Sequence, residues 1–256
     1  ILALPSQSIR GVLLSYKEIW KEYHTFVNIS KGIEINTLMT VSEVIKDVMG
    51  DTYTKIVTLS GPSHAEEVIE GHPTTLVSAS PNIEVAGAIQ NLFSNETIRT
   101  YVNPDIKGVE LGGALKNVIA IATGIVDGIG YGDNTKAALL TRGLTEISRL
   151  GVAMGGSITT FSGLSGIGDL MVTCFSKHSR NRFVGKEIGK GRTLTKILKE
   201  MSMVAEGVNT AKSVYRLSEK YSVSMPISHA VHDILFNDKD PKTSIQELMS
   251  RELIEE

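Results

Sequence analysis

Short apolar runs alternate with helix-patterned segments up to residue 104, and from Asp105 onward only the helical pattern continues. The runs Ile1–Leu4, Phe26–Ser30, Ile56–Ser60, Thr74–Ala79 and Thr97–Val102 are short and closed by Pro, Gly, Ser or Asn, the mark of strands. Between them, Ser6–Trp20, Val41–Met49, a segment from Ala65 and Asn82–Phe93 carry helical spacing. Strands alternating with helices predict crossover units and a mostly parallel sheet covered on both faces. The later segments Lys107–Ile129, Asn134–Met154, Gly166–Cys174, Arg180–Gly189, Leu194–Glu200, Asn209–Tyr221, Ile227–Asn237 and Ser244–Arg251 read as helices broken by Gly, Pro or Asp. The expected plan is an α/β domain over 1–104 followed by an all-α domain over 105–256. Ligands of open α/β sheets bind beyond the carboxyl ends of the strands. Those ends carry Pro5-Ser6, Ser30-Lys31-Gly32 and Gly61-Pro62-Ser63, small or polar residues that let a ligand approach backbone.

Charge narrows the function. The chain holds 26 basic and 28 acidic residues, which excludes a globally basic nucleic-acid binder and an acidic disordered tail. One cysteine excludes a disulfide framework and a Cys-based zinc site and fits a reducing compartment. No run approaches 18 apolar residues, so no membrane span is expected. The sequence starts at Ile1 in mid-pattern, and a missing front is expected.

Lys116 stands in ELGGALKNVIA. Its helical neighbours at i−4, i−3 and i+4 are Gly112, Gly113 and Ala120, whereas Leu111, Leu115, Val118, Ile119 and Ala122 fall mostly on another face. An ammonium enclosed on such a face loses solvation, its pKa falls, and it becomes a candidate general acid or base for a carbonyl/alcohol pair. The alternative is a lysine snorkelling over a tight helix crossing. Asp169 in GIGDLMVTC either caps the next helix or hydrogen-bonds the lysine. Eight Lys/Arg and one acid, Glu187, lie between Lys177 and Lys199. That run reads as a solvated face or as a phosphate site at Ser179-Arg180-Asn181. A nucleic-acid surface is disfavoured, because only Phe183 is there to stack. Lys31 closes a strand, where it is a solvated turn lysine or faces the ligand crevice. Ser63 caps a helix, or the helix start faces an anion. Met203–Gly207 reads as a plain loop. His229, His232 and Asp233 share a helical face without enough ligands for a metal, and Cys174 reads as a buried thiol. No G-x-G-x-x-G, P-loop or G-x-S-x-G is found.

Together ISKGIE, LSGPSHAEEV, ELGGALKNVIAIATGIVDG, GLSGIGDLMVTC, SRNRFVG and VAEGVNT, in this order, resemble the NAD(P)-dependent glycerol-3-phosphate dehydrogenases of the soluble bacterial type. The resemblance implies an incomplete Rossmann-like sheet lacking the N-terminal glycine-rich βαβ unit, followed by a helical substrate and catalytic domain. It implies Lys116 as proton acceptor, with Asp169 beside it, and no metal. Substrate-binding positions would be Lys31, Gly61, Ser63, Asn117, Thr173, Ser179, Arg180 and Asn181. NAD or NADP would meet Lys31, Ala65, Arg180, Val204 and Glu206. The implied substrates are dihydroxyacetone phosphate and sn-glycerol 3-phosphate, in a cytoplasmic homodimer serving phospholipid synthesis. A related dehydrogenase for another hydroxy acid, an inactive fragment and an anion-binding helical module stay open as alternatives.

Overall fold

The structure is a computed structural model that describes residues 1–50, 53–201 and 203–253. Among these, β1 (Phe26–Asn28), β2 (Ile56–Ser60), β3 (Thr74–Ala79) and β4 (Ile98–Asn103) form one sheet in the order β1-β2-β3-β4. Residues one apart on a strand face opposite ways, and the sequence uses this. Phe26 and Ile56 point to one side, where they meet α1 (Ile9–Ser15) and α2 (Val41–Met49) through Ile9, Leu13, Val44 and Ile45. Val27, Val57 and Leu59 point to the other, against Ile89 of α4 (Ile83–Phe93). Both faces are covered, so β2 is buried along its whole length.

β1 with β2 and β3 with β4 are parallel, but β2 and β3 are antiparallel, with Ser60 opposite Val77. The cause is the connection. Its helix α3 spans only Ala65–Ile69, about 7.5 Å of rise, whereas returning to the start of a five-residue strand requires about 17 Å. The chain therefore enters β3 at the end where it left β2. Ile1–Leu4 is not a full strand: Leu2 alone forms a parallel bridge to Asn28, its N–H donating to the Val27 carbonyl at 2.8 Å, before Pro5 turns the chain. Ser6–Trp20 is not one helix either. It divides into 3-10 turns at Ser6–Ser8 and Lys17–Ile19 around α1, with Ile9 and Leu13 buried.

The remaining elements are helical and gather on α5 (Ile106–Ile129). Asp105 caps its start by accepting the Gly108 N–H at 2.8 Å, and Gly130, left-handed at φ 91°, ends it. Around it lie α6 (Asp133–Ala153), α7 (Ile158–Phe161), α8 (Asp169–Phe175), α9 (Arg180–Gly189), α10 (Leu194–Glu200), α11 (Glu206–Tyr221), α12 (Pro226–Phe236) and α13 (Pro241–Met249). A π-helical turn at Leu164–Gly168 precedes α8. It delays the helix expected from Gly166, whose Cα lies against the Phe161 backbone. An 18-residue stretch of α5 is long and apolar enough to cross a membrane by length and composition alone, as is 158–175, but the α5 stretch is wholly buried inside the protein. α5 and α9 cross backbone to backbone: a Cβ on Gly185 would lie 2.0 Å from the Ile121 carbonyl oxygen, and one on Gly124 2.1 Å from that of Arg182. Any side chain there would push α9 off α5.

Candidate active site

The site forms where α5 passes the carboxyl ends of β1 and β2. α5 starts beyond β4 and runs back along the sheet, covering about 15 Å between Ile106 and Lys116. Its side chains meet β2 in sequence. The Glu110 carboxylate accepts from the Thr58 hydroxyl at 2.9 Å, and one turn later Gly113 lies against Ser60. The next turn places Lys116 just past the strand ends. Lys116 is 4% exposed, so it does not snorkel. Its ammonium donates to Asp169 Oδ1 and, at 2.6 Å, to the Thr173 hydroxyl. Asp169 and Thr173 lie four residues apart on α8 and so share a face. From the loop after β1, Lys31 donates to Asp169 Oδ2 at 2.6 Å and to the Gly61 carbonyl at 3.0 Å. Asp169 stands at the first position of α8, and both its oxygens accept from lysines, with no backbone N–H donating to them among the described residues.

One carboxylate thus lies between two ammonium groups, leaving the cluster with net positive charge. Burial pushes Lys116 down to about 7; Asp169 opposes this, and Lys31 reinforces it. Burial alone would raise Asp169, but Lys116 and Lys31 overcome it and hold the carboxyl below its usual range. Lys116 can therefore hold or release a proton near neutral pH, beside a fixed anion and a second cation that favours an oxyanion.

The other expected residues divide. Asn117 accepts from the Asn181 amide at 2.9 Å, and Asn181 accepts the Gly207 N–H at 2.9 Å, tying α5, α9 and α11 together beside Lys116. Ser179 caps α9 by accepting the Arg182 N–H at 3.2 Å. Arg180 is exposed, and no hydrogen bond or ion pair engages its guanidinium among the described residues. Gly61 adopts φ 146°, where a Cβ would come within 2.8 Å of the Thr75 carbonyl, and the Ser63 hydroxyl folds back to the Gly61 carbonyl at 3.0 Å. Ala65 and Val204 are exposed, and Glu206 binds Ser6. The basic run is partly absorbed: Arg182 pairs with Asp127, and Lys190 and Arg192 pair with Glu187. Cys174 is buried, and burial pushes its thiol up to about 11. His229 and His232 pack on Tyr215, and among the described residues no cluster of three or more metal-ligating side chains occurs.

Ser60 and His64 join the site without a motif of their own. Ser60 Oγ and His64 Nε2 are buried without a partner among the described residues. Both stand at the carboxyl end of β2, where a polar ligand satisfies such atoms. Burial, followed by the nearby Lys116 charge, lowers the His64 pKa, so its ring is neutral at neutral pH. Two open polar atoms, the Lys31 ammonium and an exposed Arg180 fit a polar anionic nucleotide together with a small anion. The signal for Ser60 and His64 in the sequence is their place at the end of an apolar strand and just after it.

A covered sheet, a helical half and a buried lysine–aspartate pair at the strand ends define a two-part oxidoreductase. The chain belongs to the NAD-dependent glycerol-3-phosphate dehydrogenase family: the family's N-terminal domain model matches residues 1–86 and its C-terminal domain model residues 105–246. It is 54% identical over 252 residues to a glycerol-3-phosphate dehydrogenase [NAD(P)+] of Bacillus velezensis, covering 98% of this chain and 73% of that protein. A relative of the same description from Chlorobium chlorochromatii is 52% identical over 98% of this chain and 76% of its own length. The crystal structure of glycerol-3-phosphate dehydrogenase from Coxiella burnetii superposes with a TM-score of 0.93 at 36% identity, over 97% of this chain and 75% of that one. The match over 1–86 corrects the expectation that the family's N-terminal unit is lacking. That expectation rested on the missing glycine string and on reading Ile1–Leu4 as a strand from the middle of the domain, whereas the family's N-terminal match begins at residue 1, where Leu2 is already paired beside β1.

Proposed function

We propose that Lys116 exchanges the proton, and Asp169 holds it in place, in the interconversion of dihydroxyacetone phosphate and sn-glycerol 3-phosphate with NAD or NADP. The chain is an NAD(P)-dependent glycerol-3-phosphate dehydrogenase. The observation that carries the assignment of roles is the Lys116 ammonium, buried on Asp169 and Thr173 with Lys31 on the opposite carboxylate oxygen.

When bound, NAD or NADP would supply or accept the hydride. Lys31, Ala65, Arg180, Val204 and Glu206 would hold it. In the reducing direction Lys116 donates its proton to the carbonyl oxygen as the alkoxide develops, and Lys31 adds positive potential there. In the oxidising direction neutral Lys116 takes the hydroxyl proton. Arg180 leads the phosphate contact, with Gly61, Ser63, Asn117, Thr173, Ser179 and Asn181 shaping the site. Asn181 acts chiefly by bracing Asn117 and the start of α11. Holding the phosphate away from the reacting carbon gives binding energy that orients it. Residues 1–104 are read as the nucleotide-side domain and 105–256 as the substrate and catalytic domain, in a cytoplasmic homodimer whose product feeds glycerophospholipid synthesis.

The test compares dihydroxyacetone phosphate with dihydroxyacetone, using NADH and NADPH in turn. A charge-assisted contact of about 1.5–3 kcal/mol predicts a preference of about 10- to 150-fold in kcat/KM for the phosphorylated ketone. Arg180→Ala is expected to erase most of it through KM. Equal use of both ketones, or an unchanged preference in Arg180→Ala, removes the phosphate assignment.

A further inference from the structure

Lys31 and Glu206 come from opposite halves of the chain, and one dipeptide touches both of their surroundings. Lys31 lies in an irregular loop after β1. Gln7 closes a two-point clamp on that loop: its Nε2 donates to the Ile33 carbonyl at 2.8 Å, and its Oε1 accepts the Ile35 N–H at 3.0 Å. One carboxamide thus makes the pairing a neighbouring strand would make. Next to it, Ser6 donates its N–H to Glu206 Oε1 at 2.9 Å and its hydroxyl to Oε2 at 2.7 Å. Gln7 Nε2 also donates to Ser6 Oγ at 3.1 Å, so the contacts run without a break from Glu206 to the Lys31 loop. Ser6 is buried, and a Cβ on Gly32 would come within 2.4 Å of its hydroxyl and 2.9 Å of Glu206.

We propose that Ser6 and Gln7 are positioning residues of this dehydrogenase, a dipeptide that fixes the Lys31 loop on one side and the Glu206 carboxylate on the other. The inference rests on the reading of Lys31 and Glu206 as site residues. A misplacement of about 1 Å costs roughly 10²-fold in rate. A backbone clamp two residues from Lys31 limits that displacement. Gln7→Glu keeps the acceptor for the Ile35 N–H but sets an anionic oxygen against the Ile33 carbonyl, opening the clamp with little change in size.

Lys116 gives this a readout that packing alone does not move. The groups facing it are Asp169 and Cys174 from α8, Lys31 from the β1 loop and His64 from before α3. Withdrawing Lys31 removes the charge that opposes Lys116 protonation, so the Lys116 limb of kcat/KM against pH moves upward. The experiment makes Gln7→Glu, Lys31→Ala and the double variant, and follows that limb alongside calorimetric binding of glycerol 3-phosphate. Gln7→Glu is expected to lose about 10²-fold in kcat/KM, weaken glycerol 3-phosphate binding and move the limb upward as Lys31→Ala does. In the Lys31→Ala background it adds no further loss. An undiminished loss in that background, or an unmoved limb, overturns the proposal. If Lys31→Ala alone changes neither binding nor turnover, the reading of Lys31 fails instead. A second arm does not depend on how Gln7→Glu folds. Ser6→Ala is expected to raise the NADPH dissociation constant severalfold by fluorescence titration, and Ser6→Thr to recover most of it. No change in Ser6→Ala, or no recovery in Ser6→Thr, overturns the Glu206 half.

Discussion

Two carboxylates are buried near the same stretch of α5, and they are satisfied in opposite ways. Among the described residues Glu110 accepts only from neutral donors: the Ser42 N–H at 2.9 Å, the Ser42 hydroxyl at 2.6 Å, the Thr58 hydroxyl at 2.9 Å and the Asn28 amide at 3.3 Å. Burial raises its pKa. Asp169 receives two ammonium groups, and its pKa is held low. The first arrangement joins α5, α2 and the sheet through dipoles and leaves no mobile charge. The second keeps an excess of cations around one anion, so that a cation can give up a proton at modest cost. Stability responds to acid with opposite sign at the two. Glu110, with its folded pKa raised, favours the fold increasingly as pH falls through that pKa; Asp169, with its pKa lowered, loses its contribution as pH falls through its own.

The largest effect is expected at the ammonium itself. Lys116→Ala should lower kcat by about 10²- to 10⁴-fold, the range of a lost general acid or base. KM for dihydroxyacetone phosphate should change little, because Lys31 still neutralises Asp169. Wild-type kcat/KM in the reducing direction should fall as pH rises through about 7, where Lys116 gives up its proton. In the oxidising direction it should rise over the same interval. A Lys116→Ala enzyme that keeps its turnover, or a profile flat across neutrality, removes the contrast between the two carboxylates.

Asp169→Asn comes next. An amide turns one oxygen into a donor, and both positions face ammonium groups that have nothing to accept with. Losing the carboxylate also removes the attraction that holds the Lys116 proton. Steady-state kinetics should show a loss of about 10²-fold in the reducing direction, with the limb moved below its wild-type position. A limb that stays in place would mean that Asp169 does not set the lysine's proton affinity.

Much of this is legible in the sequence alone. The bounds of β2, β3, α2, α9 and α10 follow from apolar spacing and from Gly or Pro stops, and Lys116 and Asp169 stand out against glycine neighbours. What escaped depends on distance along the chain. The antiparallel turn into β3 follows from the shortness of α3, which a helix-like pattern after Gly61-Pro62 does not reveal. Glu110 in ELGGALKN has as its signal in the sequence only that it is an acid flanked by Val109 and Leu111. The ties of Ser6 to Glu206 and of Gln7 to Ile33 span residues that no local pattern relates. Arg180 and Arg182 look equivalent in sequence, yet the first is exposed and the second pairs with Asp127 because its position on α9 turns it toward α5.

The smallest effect is expected where the same chemical change meets neutral partners. In Glu110→Gln, the amide oxygen can keep the Ser42 N–H, Thr58 and Asn28 bonds that Oε1 now accepts. The new NH2 then falls where Oε2 faces the Ser42 hydroxyl. A hydroxyl can reverse and accept; an ammonium cannot. The substitution also removes a charge that burial disfavours. Unfolding free energy near pH 7 should therefore change by less than about 1 kcal/mol, with turnover within about twofold. The variant should also lose the share of stability that wild type gains as pH falls through the raised Glu110 pKa, read from denaturation midpoints on either side of it. A collapse in stability comparable to that of a broken buried ion pair, about 3–5 kcal/mol, would show Glu110 acting as a charge, and the division between the two carboxylates would not stand.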